Sequence, residues 1–221
     1  IGETASAVKN LRVLGVFTHL SSADGDDATD RRITEAQIKN FMEAELVVKN
    51  EKDVPFYAEN SAALIKYGRF FDGARIGIAL YGVNPVPGDK TPLLPVMTFR
   101  AAVIAINTVK KGDFIGYSRG YRAKKDMRVA IISTGYADGL PRALSNKGMI
   151  FCNGQFLKIV GKVSMDSVAV DAGDADVKIM DEVVVFGDEI TVTDVANRAD
   201  TLPYEILTGV SERVKRVYKN P

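Results

Sequence analysis

Apolar positions change their period twice along the chain. From Arg12 to His19 they form a nearly continuous run around Val13, Leu14, Val16 and Phe17, the kind buried on both faces of a parallel sheet, which predicts a strand. After an acidic loop from Asp24 to Asp30, Thr34 and Gln37 stand at capping-box spacing, and Ile38, Phe41, Met42 and Leu46 follow at helical spacing, predicting a helix to about Asn50. Phe56-Tyr57-Ala58 predicts a second strand, Asn60 to Lys66 the start of a second helix, and Ala74 to Leu80 a third strand or strand-turn. Strand, helix, strand, helix, strand is the βαβ signature of a parallel sheet.

The stretch from Pro85 to Pro92 gathers three prolines, which continue neither a helix nor a central strand, so a linker and a boundary near residue 88 are expected. Residues 1–87 then form an α/β part and residues 88–221 a β-rich domain. Beyond the linker the runs Met97 to Val109, Met127 to Ser133, Met149 to Cys152, Phe156 to Lys162, Ser167 to Val170 and Glu182 to Phe186 are separated by turns such as Cys152-Asn153-Gly154. This predicts mainly antiparallel β. Thr193 or Asp194 is expected to cap a short helix, Pro203 to open another, and Arg213 to Tyr218 to return to strand-like alternation.

Composition narrows the class. Of 221 residues, 46% are hydrophobic and 26% charged, which excludes global disorder. With 29 Lys plus Arg against 28 Asp plus Glu, no surplus positive charge is available for a nucleic-acid backbone or an anionic membrane. A single cysteine, Cys152, excludes a disulfide within the chain, and with one histidine leaves too few soft ligands for a structural zinc site; no metal is expected, and a reducing, cytoplasmic setting fits. No apolar run approaches the roughly 20 residues of a membrane-crossing helix. The start Ile1-Gly2-Glu3-Thr4, without Met, is expected of a piece of a longer protein, cut by a trypsin-like protease or begun within a barrel.

Four places can carry chemistry. His19 follows Thr18 at the carboxyl end of a predicted parallel strand, the edge where α/β barrels assemble active sites, although a histidine at a strand end is as often structural. Gly77, within Arg75-Ile76-Gly77-Ile78, would let backbone N–H groups approach a phosphate, with Ser61 adding a hydroxyl from the preceding strand-helix junction; a glycine there is more often simply a turn. The loop Gly135-Tyr136-Ala137-Asp138-Gly139-Leu140-Pro141-Arg142 presents a tyrosine, which needs its phenol lowered from about 10 by a cation or donor to act as a base near neutrality. Ser164-Met165-Asp166 joins two β runs, and taken alone is a strand turn with a buried methionine.

Six motifs together resemble the carboxyl-terminal part of the bacterial alanine racemases, across essentially all 221 residues: Phe17-Thr18-His19-Leu20 with Ala23-Asp24, Asn60-Ser61-Ala62-Ala63, Arg75-Ile76-Gly77-Ile78-Ala79-Leu80-Tyr81-Gly82, Gly135 to Gly139, Gly161-Lys162-Val163-Ser164-Met165-Asp166, and Pro203-Tyr204-Glu205-Ile206-Leu207. Each motif alone is weak. Their order is what makes the match specific.

The resemblance implies the last strands and helices of a (β/α)8 barrel followed by a mainly antiparallel β domain, pyridoxal 5'-phosphate as cofactor, and a head-to-tail homodimer whose active sites combine one subunit's barrel with the other's β domain. By the same resemblance, Ser61, Gly77, Ile78 and Tyr204 hold the cofactor phosphate and Arg75 faces the pyridine nitrogen. An always-charged guanidinium donates to that nitrogen without protonating it, so the ring is a weaker electron sink and racemisation is favoured over side reactions. Tyr136 matches the base that acts across the dimer interface, opposite a lysine on the other face of the substrate. His19 matches a histidine linked to that tyrosine and to the arginine, Met165 a backbone contact to the substrate carboxylate, and Asp24, Asp166 and Leu202 residues lining or supporting the approach to the site.

Two departures matter. The family's cofactor lysine lies in a Lys-Ala-Asn-Ala-Tyr-Gly type of motif, and no such run occurs here; Lys162 stands where many members carry arginine, replacing a bidentate fork with a point charge. The expected activity is interconversion of L- and D-alanine for cell-wall peptidoglycan. The alternatives are a serine or broad-specificity racemase, including forms fused to a membrane domain, and a non-catalytic fragment or interaction module. Tyr204 argues for alanine, because its bulk leaves less room for a hydroxymethyl group. The 221 residues alone, with only about three barrel strands and no cofactor lysine, are expected to be inactive and to expose unpaired strand edges.

Overall fold

The structure is a computed structural model that describes residues 12–49 and 53–219, and the chain divides into two units, Ile1–Val96 and Met97–Pro221. The proline-rich stretch from Pro85 to Pro92 belongs to the first.

In the first unit β1 (Val16–Phe17) pairs in parallel with β2 (Phe56–Tyr57). Only these residues of the long apolar run join the ladder, and Phe17 is exposed rather than buried on both faces. The helix α1 (Ala28–Lys49) starts earlier than the Thr34–Gln37 spacing predicts. Asp27 takes the capping role, its Oδ1 accepting from the Asp30 N–H at 2.8 Å. Thr34 is instead fully buried inside the helix, and the Gln37 amide oxygen accepts from the Ser21 N–H at 3.1 Å, pinning the loop after β1. Ile38 and Phe41 face the core as the periodicity predicts, whereas Leu46 is exposed. Phe41 packs against Phe56 and Phe71 with ring centroids 5.2 and 5.0 Å apart.

Asn60 caps α2 (Ser61–Tyr67), its Oδ1 accepting from the Ala63 N–H at 2.9 Å while its Nδ2 donates to the Leu20 carbonyl at 3.1 Å. One side chain thus starts the helix and ties it to the loop after β1. The segment from Ala74 to Leu80 is not a strand: Gly73 makes a single parallel bridge to Tyr57, and Ile78–Tyr81 is a 3-10 turn. β-rich composition alone does not make a strand where the backbone finds no ladder partner.

The second unit is built on a six-stranded sheet in the order β8-β7-β10-β3-β6-β9, with every adjacent pair antiparallel. Its strands are β3 (Phe99–Val109), β6 (Met127–Ile132), β7 (Met149–Cys152), β8 (Gln155–Lys158), β9 (Val168–Asp171) and β10 (Glu182–Phe186), while β4 (Phe114–Ile115) and β5 (Tyr121–Arg122) form a small separate ladder. β3 pairs with β10 along its first part and with β6 along the rest, and its register slips between Val103 and Ala105. Ile104 is the extra residue of that bulge and is turned outward to 48% exposure. Asn153 and Gly154, with φ of 46° and 81°, form the tight turn that the Asn-Gly pair predicts between β7 and β8.

The sheet buries one apolar core with α3 (Val192–Ala199) and α4 (Pro203–Gly209), including Ile132, Ile150, Val183, Val195 and Ile206. Thr191 caps α3, not Thr193, and Asp194 sits at the third helical position, its carboxylate accepting from the Thr191 N–H at 3.1 Å to complete a capping box. Pro203 occupies the opening of α4 as expected. Arg213 to Tyr218 is not a strand: the Arg216 guanidinium donates to the Val210 and Val214 carbonyls at 2.8 and 2.9 Å, so these carbonyls bond to a side chain instead of a ladder. Among the described residues no helix is long and apolar enough to cross a membrane.

Candidate active site

The residues singled out by the sequence fall into two groups, one in each unit. In the first, the end of β1 supplies Thr18 and His19, the start of α2 supplies Ser61, and the segment after Gly73 supplies Arg75, Gly77 and Ile78.

Arg75 organises this group. Its backbone N–H donates to the Glu59 carbonyl at 2.7 Å, which fixes its segment beside the end of β2. Its Nη2 lies 2.6 Å from the Thr18 carbonyl and 3.1 Å from the His19 Nδ1, and the guanidinium stacks over the Phe17 ring at 4.6 Å. Arginine only donates, so Nδ1 of His19 accepts and the proton of the neutral imidazole stands on Nε2. The remaining inner nitrogen, Nε, is buried with no hydrogen-bond partner among the described residues. A buried donor left unpaired is costly, so this atom marks a place for an acceptor.

Ser61 is 5% exposed, and its hydroxyl oxygen accepts from the Gly77 N–H at 3.0 Å and the Ala79 N–H at 3.3 Å. Backbone donors of the 77–79 turn therefore gather at one hydroxyl, as in the backbone concavities that bind anions. Nothing lies within 4 Å of where a Cβ on Gly77 would stand, so an open cradle faces the same turn, and Ile78 beside it is buried. Asp24 is exposed in the loop between β1 and α1.

In the second unit Tyr136 and Met165 lie on two loops bonded to each other. The Tyr136 N–H donates to the Ser164 carbonyl and the Ala137 N–H to the Met165 carbonyl, both at 3.0 Å. Gly135 permits the approach: a Cβ there would stand 2.3 Å from the Met165 carbonyl oxygen. Asp138 closes the Tyr136 loop on itself, its Oδ2 accepting from the Gly135 N–H at 2.9 Å. Tyr136 and Met165 project to 45% and 52% exposure, so Met165 is not the buried methionine of an ordinary strand turn. Tyr136 borders a cavity of about 490 Å³ that reaches Arg142, Asp200 and Glu205. Leu202 and Tyr204, at the start of α4, are 66% and 50% exposed, and Asp166 pairs with Arg213 at 2.7 Å.

Three residues with a hand in these arrangements are not among the candidate site residues that the sequence singles out. Glu59 is fully buried and its Oε1 accepts from the Phe70 and Phe71 N–H groups, closing the loop that leads to Arg75. Asp138 is visible only as a turn residue between two glycines. Arg213 stands 47 positions from Asp166, a separation that no local pattern spans.

Comparisons with known proteins give the family. Residues 1–85 match the family model for the alanine racemase N-terminal domain and residues 96–218 that for the C-terminal domain. The alanine racemase of Halothermothrix orenii is 36% identical over 225 residues, covering 97% of this chain and 59% of that protein. The solved alanine racemase from D-cycloserine producing Streptomyces lavendulae superposes with a TM-score of 0.89 at 31% identity, covering 100% of this chain and 60% of that one. The alanine racemase of Bartonella henselae with covalently bound pyridoxal phosphate superposes with a TM-score of 0.82 at 34% identity, covering 94% of this chain and 57% of that one. The chain thus spans about three-fifths of the length of these relatives. The fold is the closing part of a (β/α)8 barrel followed by a mainly antiparallel β domain, and the chain belongs to the alanine racemase family.

Proposed function

We propose that the protein of which these residues are part interconverts L- and D-alanine with pyridoxal 5'-phosphate, providing D-alanine for peptidoglycan in the cytoplasm. The observation that carries the reading is the buried Nε of Arg75, a donor with no partner among the described residues beside an open anion cradle. Both features fit the cofactor, one its ring nitrogen and the other its phosphate.

When bound, pyridoxal phosphate supplies the electron-withdrawing ring that makes an amino-acid α-proton removable. Ser61, Gly77, Ile78 and Tyr204 would hold its phosphate and Arg75 would donate to its ring nitrogen. Because the Arg75 guanidinium keeps its own proton, it would donate to the ring nitrogen without protonating it, which would moderate the ring's electron-withdrawing power. Tyr136 takes or returns the α-proton on one face. The opposite face is served by a lysine from the motif that none of the 221 residues matches, so this chain alone is inactive. Met165 receives the substrate carboxylate at its backbone N–H, and Asp24, Asp166 and Leu202 line the approach. The two groups of residues meet in a head-to-tail homodimer, where His19 of one subunit reaches Tyr136 of the other.

The test is racemisation of L-alanine by the full-length protein supplied with pyridoxal phosphate. Conversion to D-alanine faster than serine is converted, abolished by Tyr136→Phe, is expected. Absence of conversion overturns the reading, and a higher efficiency with serine replaces alanine by serine as the substrate.

A further inference from the structure

Tyr136 and Met165 have to be placed against the same substrate, yet they are carried by separate loops, Gly135 to Gly139 and Ser164 to Asp166. Two backbone hydrogen bonds join these loops directly. A third element grips both from the side. The Nη2 of Arg213 donates to the Asp166 Oδ1 at 2.7 Å, and its Nε lies 3.6 Å from the Asp138 Oδ1. The second oxygen of Asp138 holds the Gly135 N–H, so the guanidinium is linked through one carboxylate to the residue before Tyr136 and through the other to the residue after Met165. The Ser211 N–H donates to the Asp138 carbonyl at 3.2 Å, bringing the segment of Arg213 against the Tyr136 loop.

We infer that Arg213 is a positioning residue for the reaction, a clasp whose guanidinium bridges Asp138 and Asp166 and holds Tyr136 in register with Met165. The inference rests on the racemase reading above. A planar fork with donors on different edges serves two carboxylates from two loops at once, whereas an ammonium on a flexible stem concentrates its charge at one point. Removing the cation does more than remove an attraction. It leaves Asp138 and Asp166 as like charges at the ends of two loops that must stay joined, and their repulsion opposes the backbone bonds. Arg213 and Asp166 are 54% and 61% exposed, so the clasp acts by aligning rather than by adding much stability. Small misplacement of a reacting group is nevertheless expensive in rate.

The experiment compares Arg213→Met, Arg213→Lys and the double variant Arg213→Met/Asp166→Asn in the full-length protein. Turnover, cofactor affinity and amide hydrogen exchange at Tyr136 and Ala137 are measured together. Expected are a roughly tenfold lower kcat in Arg213→Met with unchanged affinity for pyridoxal phosphate, faster exchange confined to those two amides, a smaller loss in Arg213→Lys, and partial recovery in the double variant, where the repulsion is gone. Unchanged exchange with unchanged kcat overturns the clasp. So does exchange that accelerates throughout the six-stranded sheet without recovery in the double variant, which is the behaviour of a general stability residue. If the unsubstituted protein does not racemise alanine, the functional reading fails, and the exchange rates decide separately whether Arg213 ties the loops.

Discussion

Gly135→Ala tests whether the contact between the Tyr136 and Met165 loops is required. The backbone φ of Gly135 lies outside the positive range that favours glycine, so alanine is not opposed by local strain. It is opposed by its neighbours. The new Cβ would stand 2.3 Å from the Met165 carbonyl oxygen and 2.4 Å from both the Met165 carbonyl carbon and the Ser164 carbonyl oxygen. Ordinary contact begins near 3.4 Å, so the loops must part by about 1 Å, and because the obstacle is backbone no side-chain rotation relieves it. Parting by that amount breaks the bonds from the Tyr136 and Ala137 N–H groups, each worth about 1 kcal/mol net, for a loss of about 2 kcal/mol. That corresponds to a fall of roughly 4–8 °C in thermal midpoint. Displacing the proposed base by the same distance lowers kcat by about 100-fold. The assay is racemisation and thermal unfolding of the full-length variant, with cofactor affinity as the control, because Ser61, Gly77, Ile78 and Arg75 of the proposed cofactor site all belong to the first unit. A variant with the parental midpoint and turnover would refute the argument.

Two further substitutions probe the first unit. Ser61→Ala removes a hydroxyl that gathers the Gly77 and Ala79 N–H groups, and the affinity for pyridoxal phosphate, followed by cofactor titration of the full-length protein, is expected to fall about tenfold. Asp72 accepts from the Phe56 N–H at 2.8 Å and from Lys49 at 3.0 Å, and these bonds hold its carboxyl below the ordinary range. Its stabilising effect is therefore present above about pH 4 and lost as pH falls through the lowered value, so Asp72→Asn should cost stability at pH 7 and lose that difference below pH 4 in a series of thermal melts.

Features set by neighbouring residues were legible in the sequence. Asn-Gly between β7 and β8, Pro203 at the start of α4 and Asn60 before α2 each have a mechanism that acts over a few residues, and each stands where expected. Competition between equivalent signals was not legible. Asp27 and Thr34 both offer a side-chain oxygen to an amide three positions on, and only the tertiary setting, which buries Thr34, decides between them. Thr191 rather than Thr193 caps α3, where a local capping box with Asp194 decides. The segment after Gly73 has the composition of a strand and lacks a ladder partner beyond one bridge, a fact about its neighbours rather than itself. The candidate site divides similarly. Ser61 stands at the strand-helix junction after β2 as the sequence predicts, whereas Gly77 was reached from a strand that does not form; the Arg75–His19 contact, 56 positions apart, was reached only through the family resemblance, and Arg213 had no signal at all.

The direction of the hydrogen bonds around Arg75 constrains what His19 can do. A guanidinium has no acceptor, so at 3.1 Å the His19 Nδ1 must supply the lone pair, and the ring's one remaining proton is on Nε2. His19 is exposed, so Nε2 is the atom through which it meets another group. In the proposed dimer that group is the Tyr136 oxygen, and the order of donation runs one way, from Arg75 to Nδ1 and from Nε2 to the phenol oxygen. In that proposed arrangement the same arginine would have two roles: its Nη2 holds the His19 Nδ1, while its buried Nε would be left for the ring nitrogen of a bound cofactor. A neutral glutamine or a lysine in its place would keep at most one of them, which is why a planar, permanently charged fork is the side chain that suits this position.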